Sequence, residues 1–212
     1  MTTRNNILIT GASSGLGEGM ARLFAAKGRN LALCARRTDR LESLAAGLRN
    51  QYPEITVLAE RLDVNEHADV FTVFDKFASE LGGLDRVIAN AGLGKGQPIG
   101  TGKFEANRQT ANTNFIGLLA QCEAAMRIFR EQNAGHLVVI ASVSSVRGAP
   151  GNLTTYAASK AAAASLAEGI RLDVAKLPIA VTTINPGYIE SEMTARIAKS
   201  PLMASAADGH KA

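Results

Sequence analysis

The chain has 212 residues, of which 46% are hydrophobic, which is enough for one large core, so we predict a single domain over residues 1–212. The net charge of +4 is small, no basic block occurs, and basic and aromatic residues do not interleave, so a nucleic-acid-binding protein is disfavoured. Cys34 and Cys122 are far apart and lack His neighbours, so neither a metal site nor a disulfide is expected. No apolar stretch predicts a membrane span or a targeting segment, and we expect a cytoplasmic protein.

Short apolar runs alternate with amphipathic stretches along most of the chain. The expected strands are residues 7–10, 30–35, 55–62, 84–90, 136–141 and 180–185. The expected helices are residues 15–27, 38–50, 66–81, 103–132 and 153–175. Alternation of this length predicts parallel strands joined by right-handed crossovers, with helices covering both faces of the sheet. We therefore predict a doubly wound α/β fold.

A glycine-rich segment, TGASSGLG, follows the first expected strand and opens the first expected helix. In this context Gly11 permits a sharp turn, Gly15 lets the backbone approach a pyrophosphate, and Gly17 allows close packing of the helix on the strand. The helix N-terminus favours phosphate through its free N–H groups and its dipole. The alternative is a helix N-terminus without a ligand. The candidate cofactor-binding residues of this turn are Gly11, Ser13, Ser14, Gly15, Leu16 and Gly17.

The second expected strand ends at Ala35 and is followed by Arg36 and Arg37. A fold of this kind that prefers NAD places an acidic side chain here, to accept hydrogen bonds from the adenosine ribose. Guanidinium groups would instead bind the 2′-phosphate of NADP through charge-assisted hydrogen bonds. Two solvated surface arginines are the alternative interpretation. We predict NADP(H) as the cofactor.

Two further strand ends carry candidate cofactor residues. Asp63 and Val64 follow the third expected strand, and Asn90, Ala91 and Gly92 follow the fourth. Residues at the carboxyl ends of parallel strands line the ligand crevice. Asp63 is a candidate acceptor for the adenine amino group, and the small Ala91 and Gly92 let a nucleotide lie against backbone. The alternatives are a helix N-cap for Asp63 and a plain turn at Asn90.

The segment YAASK, from Tyr156 to Lys160, opens an alanine-rich helix. Residues four apart share a helix face, so the phenol and the ammonium point into the same space. The ammonium is expected to lower the phenol pKa, which makes Tyr156 usable for proton transfer. Ser142, just past the fifth expected strand, is a candidate donor to a substrate oxygen. Taken alone, the Tyr-x-x-x-Lys spacing also fits an ordinary surface helix.

Together these motifs resemble the short-chain dehydrogenase/reductase family over nearly the whole chain. The resemblance rests on segment 10–17, Asn90 to Gly92, Asn114, Ser142, Tyr156, Lys160 and Pro186-Gly187 in the family's order. Within the family, the sequence resembles most the NADP-type actinobacterial members that are known only as oxidoreductases. The resemblance implies a Rossmann fold with strand order 3-2-1-4-5-6 in three αβα layers, and a reversible hydride transfer between NADP(H) and a carbonyl or secondary alcohol.

The resemblance also implies roles for individual residues. Tyr156 would be the general acid/base, Lys160 would bind the nicotinamide ribose and lower the phenol pKa, and Ser142 would orient the substrate oxygen. Asn114 would anchor a water in a proton relay. The segment after the sixth strand would pack on the nicotinamide, through Pro186, Gly187, Ile189 and Ser191.

The C-terminal segment is short relative to the family pattern, in which another helix and a seventh strand follow. On this basis the final strand is expected to be missing, which would leave the sixth strand as an exposed edge. The alternative function is therefore a catalytically weak or inactive NADP-binding protein. The resemblance otherwise implies a homo-oligomer, a dimer or a tetramer, acting on a small molecule.

Overall fold

The structure is a computed structural model that describes residues 4–189. The predicted site residue Ser191 therefore lies outside the described residues. The strands are β1 (Asn6–Thr10), β2 (Asn30–Ala35), β3 (Val57–Arg61), β4 (Arg86–Ala89), β5 (Gly135–Ile140) and β6 (Ile179–Ile184). The helices are α1 (Gly15–Ala25), α2 (Thr38–Gln51), α3 (His67–Leu81), α4 (Phe104–Ala111), α5 (Gly117–Gln132) and α6 (Thr154–Asp173).

The six strands form one parallel sheet in the order β3-β2-β1-β4-β5-β6. The predicted fold and strand order are confirmed. The order reverses between β1 and β4, because the chain first builds outward through β2 and β3 and then crosses back. Such a reversal leaves a crevice at the carboxyl ends of the central strands, where ligands of these folds bind. Within residues 4–189, β6 pairs only with β5 and so forms one edge of the sheet.

Alternate residues of the strands face the two helix layers. Leu8, Val87 and Leu137 pack with α3, α5 and α6 on one face, whereas Ile9 and Ile88 pack with α1 and α2 on the other. This division follows from the two-residue period of a strand. Burial on both faces explains why the strands are continuous apolar runs rather than alternating ones. The two packed faces fix the carboxyl edge of the sheet as a rigid platform.

The expected helix over residues 103–132 is interrupted by a π-helical turn, Asn112–Ile116, between α4 and α5. The sequence did not indicate this turn, because the amphipathic pattern runs through it. A π turn re-aims the side chains that it carries and is frequent at functional sites. Asn114 lies in it and is almost completely buried, with 1% of its surface exposed. Over the described part of the chain, no helix is long and apolar enough to cross a membrane.

Candidate active site

A cleft of about 270 Å³ opens at the carboxyl ends of the strands. It brings together residues that are separated by up to 179 positions in the chain, from Thr10 to Ile189. The predicted site residues that line it are Gly11, Ser13, Ser14, Gly15, Leu16, Arg36, Arg37, Asp63, Val64, Asn90, Ala91, Gly92, Ser142, Tyr156, Lys160, Pro186, Gly187 and Ile189. Two predicted residues, Gly17 and Asn114, support the cleft without lining it.

The glycine turn is shaped by close backbone approaches. Gly11 has a positive φ of 65°, a conformation that favours glycine. A Cβ on Gly17 would lie 2.4 Å from the carbonyl oxygen of Gly11 and 2.8 Å from Nδ2 of Asn90. Gly17 is therefore required by packing, as expected, because any side chain would push α1 away from β1. The result is a tight turn whose backbone faces the cleft.

Thr10 joins the glycine turn to the end of β4, although the sequence analysis did not select it as a site residue. Its buried Oγ1 accepts hydrogen bonds from the backbone N–H groups of Asn90 at 3.0 Å and Ala91 at 2.9 Å. The same hydroxyl donates to Oε1 of Gln121 at 2.7 Å. Asn90 returns a hydrogen bond from Nδ2 to the Thr10 carbonyl oxygen at 2.9 Å. Asn90 therefore has a structural task beyond a plain turn.

The two arginines after β2 behave differently. Arg37 folds back onto the glycine turn, where Nε donates to Oγ of Ser13 at 3.3 Å and Nη2 donates to Oγ of Ser14. Arg36 is more exposed, and its Nη1 lies 3.8 Å from a carboxylate oxygen of Asp63. Both guanidinium groups thus lie at the same end of the cleft, beside the phosphate-cradling turn. Two guanidinium groups therefore line the cleft directly after β2, where the sequence has no acidic residue.

Asp63 lines the cleft but is already engaged by its own loop. Its Oδ1 accepts hydrogen bonds from the backbone N–H of Asn65 at 3.0 Å and from Nδ2 of Asn65 at 2.8 Å. Helix α3 is capped by Glu66, so Asp63 is not its N-cap. Its other oxygen, Oδ2, lies 3.8 Å from Nη1 of Arg36. Asp63 therefore lines the cleft with both oxygens near groups of the protein.

Tyr156 and Lys160 both line the cleft from the first turns of α6, with Nζ of Lys160 5.9 Å from the centre of the Tyr156 ring. The pKa of Tyr156 is raised, chiefly by burial and also by Tyr188, while a hydrogen bond with Ser142 lowers it. This differs from the expectation that Lys160 lowers the phenol pKa. The reason is that burial disfavours the phenolate, while the ammonium is directed elsewhere. At neutral pH the phenol is protonated and is placed as a proton donor.

Lys160 donates a hydrogen bond from Nζ to the carbonyl oxygen of Ile140, at the end of β5, over 2.7 Å. Only 6% of its surface is exposed, and burial lowers its pKa to about 8. The ammonium is thus still mainly charged at neutral pH. Lys160 also lines the cleft, and an ammonium has three N–H donors, of which the Ile140 bond uses one.

Three serines follow β5, and their surroundings separate their roles. Ser142 lines the cleft, and its Oγ accepts a hydrogen bond from the backbone N–H of Ser144 at 3.1 Å. This leaves the Ser142 hydroxyl proton available for donation toward the phenol or a substrate oxygen. Ser145 instead donates to Oδ1 of Asn185 at 3.1 Å. Among these three serines, Ser142 is the one that lines the cleft.

Asn114 forms hydrogen bonds with the loop after β4 and with α6. Its Oδ1 accepts from the backbone N–H of Leu93 at 2.7 Å, and its Nδ2 donates to the Leu93 carbonyl oxygen at 2.9 Å and to Oγ of Ser159 at 3.1 Å. A Cβ on Gly92 would lie 3.5 Å from Oδ1 of Asn114 and 3.6 Å from Nζ of Lys160. Gly92 therefore lies between the amide and the ammonium. The absence of a side chain there keeps the space between them open.

Several residues that the sequence analysis did not select also line the cleft. They come from the strand ends and the π turn: Thr10, Cys34, Ala35, Leu62, Thr113, Ile140 and Ala141. Most are apolar and lack any chemical signal of their own. Their position within two residues of a predicted site residue is the one signal that would have found them.

The sequence matches the short chain dehydrogenase family over residues 5–201. The chain belongs to this family. An uncharacterised oxidoreductase of Mycobacterium tuberculosis (strain H37Rv) is 55% identical over 210 residues, which cover 99% of this chain and 83% of that protein. Membership makes this short-chain dehydrogenase an oxidoreductase that uses a nicotinamide cofactor.

Solved structures of other family members superimpose closely on the short-chain dehydrogenase described here. An alcohol dehydrogenase of Thermococcus sibiricus, complexed with 5-hydroxy-NADP, is 27% identical with a TM-score of 0.87, covering 98% of this chain and 87% of that one. A NAD⁺-bound xylitol dehydrogenase is 28% identical with a TM-score of 0.82, covering 88% and 71%. Similar proteins thus bind either form of the cofactor.

Proposed function

We propose that this short-chain dehydrogenase is an NADP(H)-dependent oxidoreductase that interconverts a carbonyl compound and a secondary alcohol. The observation that carries the proposal is the meeting of Tyr156, Lys160 and Ser142 in a cleft that begins at the glycine turn. A protonated phenol, a nearby ammonium and a hydroxyl donor form a set suited to proton transfer at an oxygen. The bound nicotinamide supplies or accepts the hydride.

The side chains of this protein supply the proton and its setting. In the direction of reduction, the Tyr156 phenol donates its proton to the substrate oxygen, while the Ser142 hydroxyl donates a hydrogen bond that holds this oxygen. Before a substrate binds, the hydrogen bond between Ser142 and the phenol lowers the phenol pKa and so offsets part of the effect of burial. Lys160 would bind the ribose hydroxyls of the cofactor and add positive charge beside the phenolate. Asn114 would anchor a water that returns a proton to this set.

The rest of the cleft fits the cofactor from phosphate to amide. The glycine turn, with Ser13 and Ser14, would hold the pyrophosphate. Asp63 and Val64 would border the adenine, and Asn90 to Gly92 would lie along the nucleotide. Pro186, Gly187 and Ile189 would pack on the nicotinamide, at the end of the cleft that also contains Tyr156.

The preference for NADP(H) over NAD(H) rests on Arg36 and Arg37. No acidic residue follows β2 directly, and the contacts of Arg37 with Ser13 and Ser14 keep its guanidinium beside the phosphate turn. A guanidinium in this position pairs with a 2′-phosphate but offers no acceptor to a free ribose hydroxyl. We infer that the 2′-phosphate lies between these arginines.

A second candidate function is an NADP-binding protein without significant catalysis. This candidate predicts cofactor binding but no turnover on any carbonyl compound.

Turnover measurements with a Tyr156→Phe variant decide between the two. NADPH oxidation should be followed with a broad panel of aldehydes and ketones, for the wild-type protein and the variant. We expect turnover by the wild type and a loss of about 10²–10⁴-fold in kcat for the variant, because a positioned proton donor contributes this much. NADPH affinity should change little, since the ring remains. Wild-type rates in Tyr156→Phe would contradict the catalytic role, and NADPH binding without turnover would support the second candidate.

A further inference from the structure

Two asparagines connect the same three segments of the molecule at two successive levels. Asn114 contacts Leu93 of the loop after β4 and Ser159 of α6. Asn107 lies seven residues earlier, on α4, and is also buried, with 9% of its surface exposed. Both side chains contact the loop after β4 and the start of α6, so they lie on the same side of this helical segment. Asn107 is thus placed to connect the loop after β4 to α6, as Asn114 does, from a position seven residues earlier in the chain.

The contacts of Asn107 follow this pattern. Its Oδ1 accepts a hydrogen bond from the backbone N–H of Gln97 at 2.8 Å and another from Oγ1 of Thr155 at 3.0 Å. Gln97 lies four residues after the loop residue that Asn114 holds. Thr155 lies four residues, or one turn of α6, before the serine that Asn114 holds. A single buried oxygen atom therefore joins the loop after β4 to the start of α6.

The residues held at these two levels directly precede the proposed catalytic pair. Thr155 comes immediately before Tyr156, and Ser159 comes immediately before Lys160. The loop is also pressed against the turn before α6, since a Cβ on Gly96 would lie 2.3 Å from the carbonyl oxygen of Asn152. The first turn of α6 carries the phenol and is held from the side by Asn107.

We propose that Asn107 is a positioning residue, whose hydrogen bonds to Gln97 and Thr155 fix the Tyr156 phenol relative to the loop after β4. This rests on the proposed function, in which Tyr156 transfers the proton. Asn107 is not among the residues that line the cleft. It acts through the helix start and through the loop that borders the phenol. Loss of this link should move the phenol by a fraction of an ångström to an ångström, which is enough to slow proton transfer strongly.

Two substitutions of similar size separate the hydrogen bonds from the volume of the side chain. Asn107→Asp keeps an oxygen that accepts from both donors, whereas Asn107→Leu fills the space without any acceptor. Circular dichroism would first establish that both variants are folded. We expect Asn107→Leu to lower kcat by about 10- to 100-fold and to leave the Kd of NADPH within about twofold, because the cofactor cleft is untouched. Asn107→Asp should retain most of the wild-type kcat.

Thr155→Val provides an independent check from the other side of the link. It removes the hydroxyl that donates to Asn107 and nearly preserves the shape of the side chain. Its effect on kcat should not add to that of Asn107→Leu, since both break the same connection. Full additivity of the two effects would overturn the proposed link.

A titration of the phenol gives a readout that needs no turnover. The difference in ultraviolet absorbance between each protein and its Tyr156→Phe counterpart isolates the ionisation of Tyr156. We expect the raised pKa of the phenol to fall toward the free value of about 10 in Asn107→Leu, as the ring becomes less enclosed, and to stay near the wild-type value in Asn107→Asp.

The outcomes separate this inference from the proposed function. An unchanged kcat in folded Asn107→Leu, or an equal loss of kcat and NADPH affinity, overturns the positioning role. If the wild-type protein reduces no carbonyl compound, the proposed function fails instead. The phenol titration then decides alone, and an unchanged phenol pKa in Asn107→Leu overturns the positioning role.

Discussion

A buried basic group lies at each end of β5, and burial lowers the pKa of both. At neutral pH one group is nevertheless charged and the other is neutral. At the carboxyl end, the Ile140 carbonyl accepts a hydrogen bond from Lys160, whose pKa burial lowers to about 8. Near the amino end, His136 is 8% exposed, and burial together with Arg4 and Arg86 lowers its pKa to about 4. At neutral pH the lysine remains charged and the histidine is neutral. A buried ammonium therefore stays charged in the cleft at one end of the strand, whereas the imidazole near the other end stays neutral beside the Arg86 guanidinium.

The hydrogen bonds of His136 show why it is structural. Arg86 Nε donates to Nδ1 of His136 at 3.1 Å, and Nε2 lies 2.9 Å from Oγ1 of Thr182. Because a guanidinium can only donate, Nδ1 must accept and the ring proton must be on Nε2, facing the threonine. Both ring nitrogens are thus used within the protein. At the carboxyl end, by contrast, the Lys160 ammonium has three N–H donors, and its hydrogen bond to the Ile140 carbonyl uses one of them.

The largest expected effect comes from adding a methyl group to the glycine turn, at the carboxyl end of the sheet. Gly17→Ala would place Cβ 2.4 Å from the Gly11 carbonyl oxygen, so the glycine turn or α1 must shift. We expect a loss of about 3 kcal/mol in the free energy of unfolding, and a loss of NADPH binding. Denaturant titration and fluorescence titration measure the two effects.

Gly47→Ala is the matched control for this substitution. Gly47 lies in the middle of α2, and a Cβ there would meet nothing within 4 Å. Alanine is favoured over glycine inside a helix, so this variant should be more stable by about 0.5–1 kcal/mol and should bind NADPH normally. If Gly17→Ala behaves like Gly47→Ala, the packing argument for the turn is wrong.

The contribution of His136, near the amino end of β5, is tested by lowering the pH. The expected effect on the free energy of unfolding is smaller. The folded-state pKa of His136 is about 4, below the ordinary value of 6.5, so the unfolded chain binds a proton more readily between these values. The stability due to the neutral ring is fully present above pH 6.5 and is lost as the pH falls through about 4. We expect the loss to be about 2 kcal/mol, seen as a difference between wild type and His136→Gln in denaturant titrations at pH 7 and pH 4.5.

Glutamine suits this comparison because it keeps an acceptor for Arg86 and a donor for Thr182 but does not titrate. The carboxylates of the protein titrate equally in both forms, so the difference isolates the histidine. NADPH affinity at pH 7 should be unchanged in His136→Gln, since the site lies at the other end of the strand. Parallel pH profiles for the two proteins would show that His136 does not contribute to acid sensitivity.

Much of the fold was predictable because it depends on local patterns. The apolar runs predicted every strand of the sheet to within about two or three residues at either end, and the glycine turn fixed where β1 meets α1. The cleft residues were predictable for a related reason, since carboxyl ends of parallel strands share one edge. The resemblance to the family supplied Asn114 and the strand order.

The remaining features depend on contacts between distant residues or on burial. Thr10 and Gln121 are 111 positions apart, and Asn107 and Thr155 are 48 apart, so spacing along the chain does not reveal either pair. The predicted direction of the shift in the Tyr156 pKa was wrong for a similar reason. Helical spacing places the ammonium near the phenol, but it does not reveal the degree of burial or the Ile140 carbonyl that binds the ammonium.

The most direct test of the central claim, that the carboxyl end binds NADP(H), is a fluorescence titration of the wild-type protein with NADPH and with NADH. We expect NADPH to bind at least about tenfold more tightly, because charge-assisted hydrogen bonds to the 2′-phosphate are available only to it. Arg36→Asp should shift the preference toward NADH, and an unchanged ratio would assign the phosphate to Arg37. Equal affinity of the wild type for both cofactors would contradict the NADP preference, and binding of neither would contradict the site itself.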